Sequence, residues 1–197
     1  MLVVRELVLG PKRFSDLRSS LPGVSPDVLT ERLRDLEVAG VVIRRTLPAP
    51  AGSRVYELSE WGRELEPVVL ALGRWGSRAP FPRGSGRLGV DAFVLALKTL
   101  FDPSAAGGLK AAYELRLGEQ RFHARVSGRR LEITRSEARI HDAVIEGDTA
   151  SLSAVLWHGR RLAEARRAGD VKIAGSVPAV ERFLSLFPPA RPAGGAH

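Results

Sequence analysis

The sequence contains no cysteine, a single methionine, two tyrosines and four histidines in 197 residues. Without cysteine there is no disulfide framework, no thiol nucleophile and no thiolate metal site. The histidines, His123, His141, His158 and His197, show neither i, i+4 spacing nor an accompanying acidic pattern, so nothing suggests a zinc site. No apolar run approaches the roughly 18 residues needed to span a bilayer. The first residues, Met-Leu-Val-Val-Arg-Glu-Leu, lack a basic leader and a cleavage site. These absences together imply a cytoplasmic protein with no metal or cofactor and no membrane partner.

What is abundant is basic charge. Lys and Arg number 30 against 22 Asp and Glu, a formal net charge of +8, which suits a polyanionic partner. The charge is unevenly placed: residues 1–76 hold 11 basic and 10 acidic side chains, and the rest hold 19 and 12. Total charge therefore does not say which half meets that partner. The stretch 77–89 packs two prolines and three glycines into a segment without periodicity and reads as a linker. The organisation expected is a first domain over 1–76, a linker over 77–89, a second domain over 90–187 and a disordered tail over 188–197.

The first domain begins with an apolar segment, Met1–Leu9, stopped by Gly10-Pro11, and a second short helix around Phe14–Leu21, stopped by Pro22-Gly23. Ser25-Pro26-Asp27 is a strong helix start: serine caps, proline suits the first turn, and aspartate suits the positive end of the dipole. From there Leu29, Leu33, Leu36 and Gly40 recur along one stripe, while Asp27, Glu31, Arg34 and Val38 fall opposite, with Thr30 and Asp35 on the flanks. A helix after a tight turn, buried on one side and polar on the other, fits a recognition helix or an ordinary surface helix. The β-branched runs Val41–Leu47 and Ser53–Leu58 flank a Pro-Ala-Pro-Ala-Gly turn and read as a hairpin. Between Val41 and Tyr56 it carries Arg44, Arg45 and Arg54 and no acid. Such arginines can clamp phosphates or enter the minor groove; a charged edge that blocks aggregation is the alternative. Ser59–Trp75 is expected to be one long helix capped by Ser59, with Trp61, Leu65, Val68/Val69, Leu72 and Trp75 at a helical spacing that suits packing within the monomer's core.

The segments Leu7–Leu17, Ser25–Glu37, Ala39–Val42 and Tyr56–Leu65 together resemble the HxlR-type winged-helix regulators over roughly residues 1–76. The resemblance implies a homodimer on a palindromic operator in double-stranded DNA, with the helix from Ser25 in the major groove and the helix from Ser59 in the dimer interface. It places Ser25, Asp27, Thr30, Glu31, Arg34, Arg44, Arg45 and Arg54 at the DNA. It also implies an earlier helix, often bearing a cysteine, so the first helix of the pattern is expected to be missing here. Redox sensing through that cysteine has no thiol to use in this sequence.

In the second half, Val90–Phe101 is helical. Tyr113–Leu117, Phe122–Val126 and Leu131–Thr134 alternate as antiparallel strands with tight turns between them. Ala143–Gly147 precedes an Asp148-Thr149 cap and a helix to Trp157, then a short helix near Arg160–Ala168, the run Val171–Gly175 and a closing helix Val177–Phe187. Residues 143–148, 169–176 and 180–187 look like a sterol-carrier-protein type domain, an α+β fold with an antiparallel-rich sheet. That resemblance implies an apolar tunnel for lipids or acyl chains. Phe93, Leu97, Trp157, Phe183 and Phe187 either line such a tunnel or fill the core.

Several other signals point nowhere. Gly84-Ser-Gly-Arg-Leu-Gly89 matches G-x-G-x-x-G but follows prolines instead of a strand, which argues against a dinucleotide site. Ser127 lies near His123 without a nucleophile elbow, and the cluster Arg160, Arg161, Arg166 and Arg167 reads as a solvated helix face or a contact to DNA or an anionic ligand. The expectation is thus a non-enzymatic, DNA-binding transcriptional regulator that an apolar or acyl ligand modulates. The alternatives are a lipid carrier whose winged helix serves dimerisation, and an acyltransferase, for which no acyl-CoA-binding fold is evident.

Overall fold

The computed structural model describes residues 1–48, 52–79, 88–136 and 140–191, and the chain divides into two units, Met1–Leu72 and Gly73–His197. The tip of the expected hairpin, most of the expected linker and most of the expected tail lie outside the described residues.

The first unit contains α1 (Leu2–Leu7), α2 (Phe14–Ser20), α3 (Pro26–Val38), the hairpin β1 (Val42–Thr46) and β2 (Arg54–Leu58), α4 (Glu60–Arg63) and α5 (Glu66–Gly76), which runs past the unit boundary. Its core joins Val3, Val4 and Leu7 of α1 to Leu17, Leu29, Leu33 and Leu58. The start of α3 follows the expected chemistry: the Ser25 hydroxyl accepts from the Val28 amide at 3.3 Å, with Pro26 in the first turn. Its end does not. The periodicity puts Gly40 on the buried stripe, but it is exposed and lies beyond the helix at φ +71°, a left-handed conformation that a side chain disfavours. There it closes a Schellman cap, with the Gly40 amide on the Glu37 carbonyl (3.0 Å) and the Val41 amide on the Leu36 carbonyl (2.9 Å).

The expected single helix over Ser59–Trp75 is two helices. Ser59 does cap the first, its hydroxyl accepting from the Gly62 amide at 2.9 Å, but α4 ends at Arg63 and α5 begins at Glu66. Pro67 is the cause: it has no N–H to offer the Arg63 carbonyl, and its ring collides with that carbonyl in a continuous helix. At the join the Leu65 amide bonds the Gly62 carbonyl at 3.1 Å, the tighter i→i−3 closure.

In the second unit the order is α6 (Val90–Leu100), α7 (Pro103–Ala106), β3 (Lys110–Leu117), β4 (Gln120–Ser127), β5 (Arg130–Thr134), β6 (Ala143–Gly147), α8 (Thr149–Trp157), α9 (Leu162–Arg167), β7 (Val171–Gly175) and α10 (Val177–Leu184). The five strands form one sheet in the order β5-β4-β3-β6-β7. All neighbours are antiparallel except β3 and β6, which run parallel. This is an α+β unit with an antiparallel-rich sheet, as the alternating patterns suggest. Two details differ. Asp102-Pro103, just past the expected helix Val90–Phe101, starts α7, where Asp102 accepts from the Ser104 amide at 2.8 Å. The closing helix ends at Leu184, short of Phe187.

Candidate nucleic-acid interface

Helix α3 buries Leu29 and Leu33 and leaves Asp27, Thr30, Glu31 and Arg34 in solvent, so the polar face expected from the periodicity is open. The side chains on it are not equally available. The Ser25 hydroxyl is engaged in the cap, and Thr30 donates its hydroxyl to the Pro26 carbonyl at 2.8 Å. Glu31 and Arg34 make no ion pair among the described residues. Arg32, one position off that face, pairs with Asp35 at 3.0 Å.

The hairpin is antiparallel with Arg44 opposite Tyr56, Arg45 opposite Val55 and Thr46 opposite Arg54. A third short segment joins it at the base. The main chain of Lys12 pairs with Tyr56 through two hydrogen bonds of 2.9 and 2.8 Å. The Lys12 ammonium, buried, reaches Glu6 at 2.8 Å and Ser20 at 3.0 Å. The wing is therefore anchored to both α1 and α2.

The stretch between Val41 and Tyr56 has no acid, yet two of its three arginines are paired from outside it. Arg44 makes a two-point fork with Glu37 of α3, Nε to Oε1 and Nη2 to Oε2, both 3.2 Å. Its guanidinium carbon lies 5.6 Å from the centroid of the Tyr56 ring, within the range of a cation–π contact. Hydrogen bonding to Glu37, reinforced by that carboxylate's charge, holds the Arg44 guanidinium above the usual arginine range. Arg45, on the other face of the hairpin, pairs with Glu57 at 2.8 Å. Arg54 is exposed and has no ion pair among the described residues. An open groove of about 560 Å³ runs between Glu37 and the strand to Thr46 and Arg54. Nothing in the sequence pattern singles out Glu37. The register offers a signal for Glu57, which sits diagonally across from Arg45, two residues on from its partner Val55.

In the second unit, Phe93, Leu97, Phe183 and Phe187 are buried and Trp157 is partly so. They do not form one wall. Phe93 meets Trp157 at 5.7 Å between ring centroids, whereas Phe183 and Phe187 pack together at 4.9 Å and extend to Tyr113 and Phe101. On α8, Ser153 Oγ and Trp157 Nε1 are buried with no hydrogen-bond partner among the described residues. Gly89, the last glycine of the G-x-G-x-x-G match, is the N-cap residue of α6; residues 84–87 lie outside the described residues. No group of three or more His, Asp or Glu placed to hold a metal occurs among the described residues.

Two helices joined by a tight turn, followed by a hairpin packed beside the second, define a winged helix-turn-helix protein. The profile of the HxlR-like helix-turn-helix family matches residues 1–81, and the chain belongs to that family. It is 37% identical over 76 residues to the uncharacterized HTH-type transcriptional regulator YvaP of Bacillus subtilis (strain 168), an alignment covering 39% of this chain and 70% of YvaP. To the uncharacterized HTH-type transcriptional regulator sll1512 of Synechocystis it is 42% identical over 77 residues, 39% of this chain and 57% of that relative. Among solved structures, the inverting sec-alkylsulfatase Pisa1 from Pseudomonas sp. is similar over 51% of this chain and 16% of its own length, at 19% identity and a TM-score of 0.48. That likeness is too remote to carry chemistry across. No helix among the described residues is long and apolar enough to cross a membrane.

Proposed function

We propose that this protein is a cytoplasmic, DNA-binding transcriptional regulator that acts as a homodimer, with α3 in the major groove and the wing on the backbone. The observation that carries the reading is the joint exposure of Asp27, Thr30, Glu31 and Arg34 on α3 beside a hairpin bearing Arg44, Arg45 and Arg54. Base edges are read by the helix face, and phosphates are held by the wing. Dimerisation is supported by the apolar side chains that α4 and α5 leave in solvent: Trp61 is 60% exposed and Trp75 74%, with Val68 and Leu72 also open. Exposure of this kind marks an interaction surface. The relatives' names as regulators support a binding protein over an enzyme.

For the second unit we propose a sterol-carrier-like role, holding an apolar or acyl ligand that shifts DNA affinity. The buried aromatic side chains support it, as do the two unpartnered donors on α8: an apolar ligand bearing an acceptor would satisfy Ser153 Oγ and Trp157 Nε1, and unmet buried polar groups are costly. The ligand acts only if it binds the DNA-competent and incompetent dimers with different affinity.

A salt-dependent gel shift with upstream promoter DNA tests the first reading. Binding whose affinity falls linearly in log–log form with salt supports it, and absence of binding at low salt refutes it. Native mass spectrometry of the purified protein, with operator affinity titrated against long-chain acyl compounds, tests the second. Lipid-free protein indifferent to every compound refutes the ligand role.

A further inference from the structure

We propose that Glu37 is a positioning residue for DNA recognition: by holding Arg44 in a two-point fork, it fixes the wing against α3 and withholds that guanidinium from phosphates in the wrong place. The proposal rests on the DNA-binding reading of the first unit and adds a residue and a device to it.

The three wing arginines look equivalent in the sequence and are not equivalent in the fold. Arg54 presents its charge to solvent with no ion pair among the described residues, whereas Arg44 is engaged on two sides. Glu37 sits in the last turn of α3, turned about 80° from Asp27 and about 60° from Arg34, and its carboxylate reaches the hairpin at Arg44. Its two oxygens take Nε and Nη2 of Arg44, and Tyr56 lies against the guanidinium. A guanidinium has five N–H donors in a rigid fork. With one edge occupied by Glu37, the donors left for a ligand lie on the remaining edge, so a phosphate is accepted from one direction. A backbone that follows the groove α3 is reading supplies a phosphate there. A duplex docked out of register must instead compete with a carboxylate.

The geometry also sets the wing's angle. Glu37 belongs to the recognition helix and Arg44 to the hairpin, so the fork spans the Schellman turn at Gly40 and ties two elements that must enter adjacent parts of one duplex together. Arg45 has a comparable partner in Glu57, but both belong to the hairpin and their pairing fixes nothing between elements. Among the described ion pairs, Glu37–Arg44 is the one that couples helix to wing.

The test uses the full-length chain, an operator selected from a random pool by the wild-type protein, and a random duplex of equal length. In Glu37→Gln the affinity for random duplex rises about two- to fivefold, as release of an exposed ion pair allows. The log–log salt slope steepens by about 0.9 per protomer as Arg44 takes up a phosphate. Operator affinity rises less, so discrimination falls. Glu37→Asp, which keeps the carboxylate, stays close to wild type. Glu37→Gln in an Arg44→Ala background changes neither slope nor discrimination, because Glu37 acts only through Arg44. Far-UV circular dichroism checks that α3 is retained in each variant. An unchanged slope and ratio in Glu37→Gln, or a change that persists without Arg44, overturns the proposal while leaving the DNA-binding reading standing. A wild-type chain that binds neither duplex overturns both.

Discussion

Gly62 is a small residue on which the first unit's geometry depends, and replacing it with alanine sets two effects against each other. In an ordinary helical position the change stabilises by up to about 1 kcal/mol, because alanine has the higher helix propensity. Here a Cβ would lie 2.1 Å from the Val41 carbonyl oxygen. The atom it strikes is main chain and cannot swing aside, so α4 must move away from the turn that follows α3. That movement strains packing, at about 1–3 kcal/mol. It also pulls on two hydrogen bonds Ser59 makes across the same gap, its amide to the Val41 carbonyl at 3.0 Å and its hydroxyl to the Gly40 carbonyl at 2.7 Å. Each is worth about 1 kcal/mol. The net expectation is a loss of roughly 1–4 kcal/mol. Urea denaturation followed by far-UV circular dichroism measures it as a lower midpoint for the winged-helix transition. Gly76→Ala is the control: a Cβ there meets nothing within 4 Å, and its stability should stay within about 1 kcal/mol of wild type, on the stabilising side. A Gly62→Ala protein as stable as that control would refute the claim that close approach to Val41 requires glycine.

Arg44→Ala combined with Arg45→Ala should weaken binding broadly across sequences, the operator most because Arg44 meets a phosphate there, and flatten the salt slope by about 0.9 for each phosphate the wing no longer neutralises; an unaltered slope in fluorescence anisotropy would remove the wing from the interface. Alanine at Thr30, Glu31 or Arg34 should change which operator is selected, since each good base contact contributes roughly 1–3 kcal/mol of discrimination; identical consensus sequences from all three variants would show that this helix face does not read bases. Burial, with the nearby Asp142 carboxylate adding to it, pushes the Tyr113 phenol above its usual value. The folded state then favours the neutral phenol more than the unfolded chain does, so this contribution is intact below about pH 10 and is lost as pH rises through the folded-state value. Tyr113→Phe should give up the hydrogen bond to the Ala179 carbonyl, at about 1 kcal/mol, and abolish that alkaline decline. A denaturation series from about pH 8 to 11, which brackets the ordinary phenol value, would rule the phenol out if both proteins declined in parallel.

Local chemistry is the legible part of this sequence. Ser25-Pro26 sits where α3 starts because capping depends on neighbours three residues away, and the hairpin follows from two β-branched runs around a turn cluster. Sequence and fold part company where a local rule competes with a periodic one. The apolar spacing through Trp61, Leu65, Val68 and Leu72 continues across Pro67 and masks the break that proline enforces. Gly40 extends an apolar stripe numerically while its chemistry marks a helix end. Contacts between distant elements leave little trace. Glu37 and Arg44 are seven residues apart on different elements, and nothing in their spacing announces a fork that depends on the Schellman turn between them. The parallel pairing of β3 with β6 requires knowing where β6 lands after leaving β5. Four of the five candidate ligand residues carry rings, and the fold separates those rings into two clusters, Phe93 with Trp157 and Phe183 with Phe187, a division that nothing in their spacing announces.

Lys12 joins three elements at a single residue: its main chain pairs with β2 at Tyr56, and its ammonium holds Glu6 of α1 and Ser20 of α2. Tyr56 in turn lies against Arg44. Mechanically, this makes the wing the far arm of a lever whose fulcrum is Lys12, and α1 is the near arm. A displacement of α1 has two routes to the wing, one through Lys12 and its two amide hydrogen bonds and one through the core it shares with α3. Loss of the Lys12 ammonium would therefore slacken α1 against α2 at the foot of the hairpin, while the Glu37–Arg44 fork still ties that hairpin to α3.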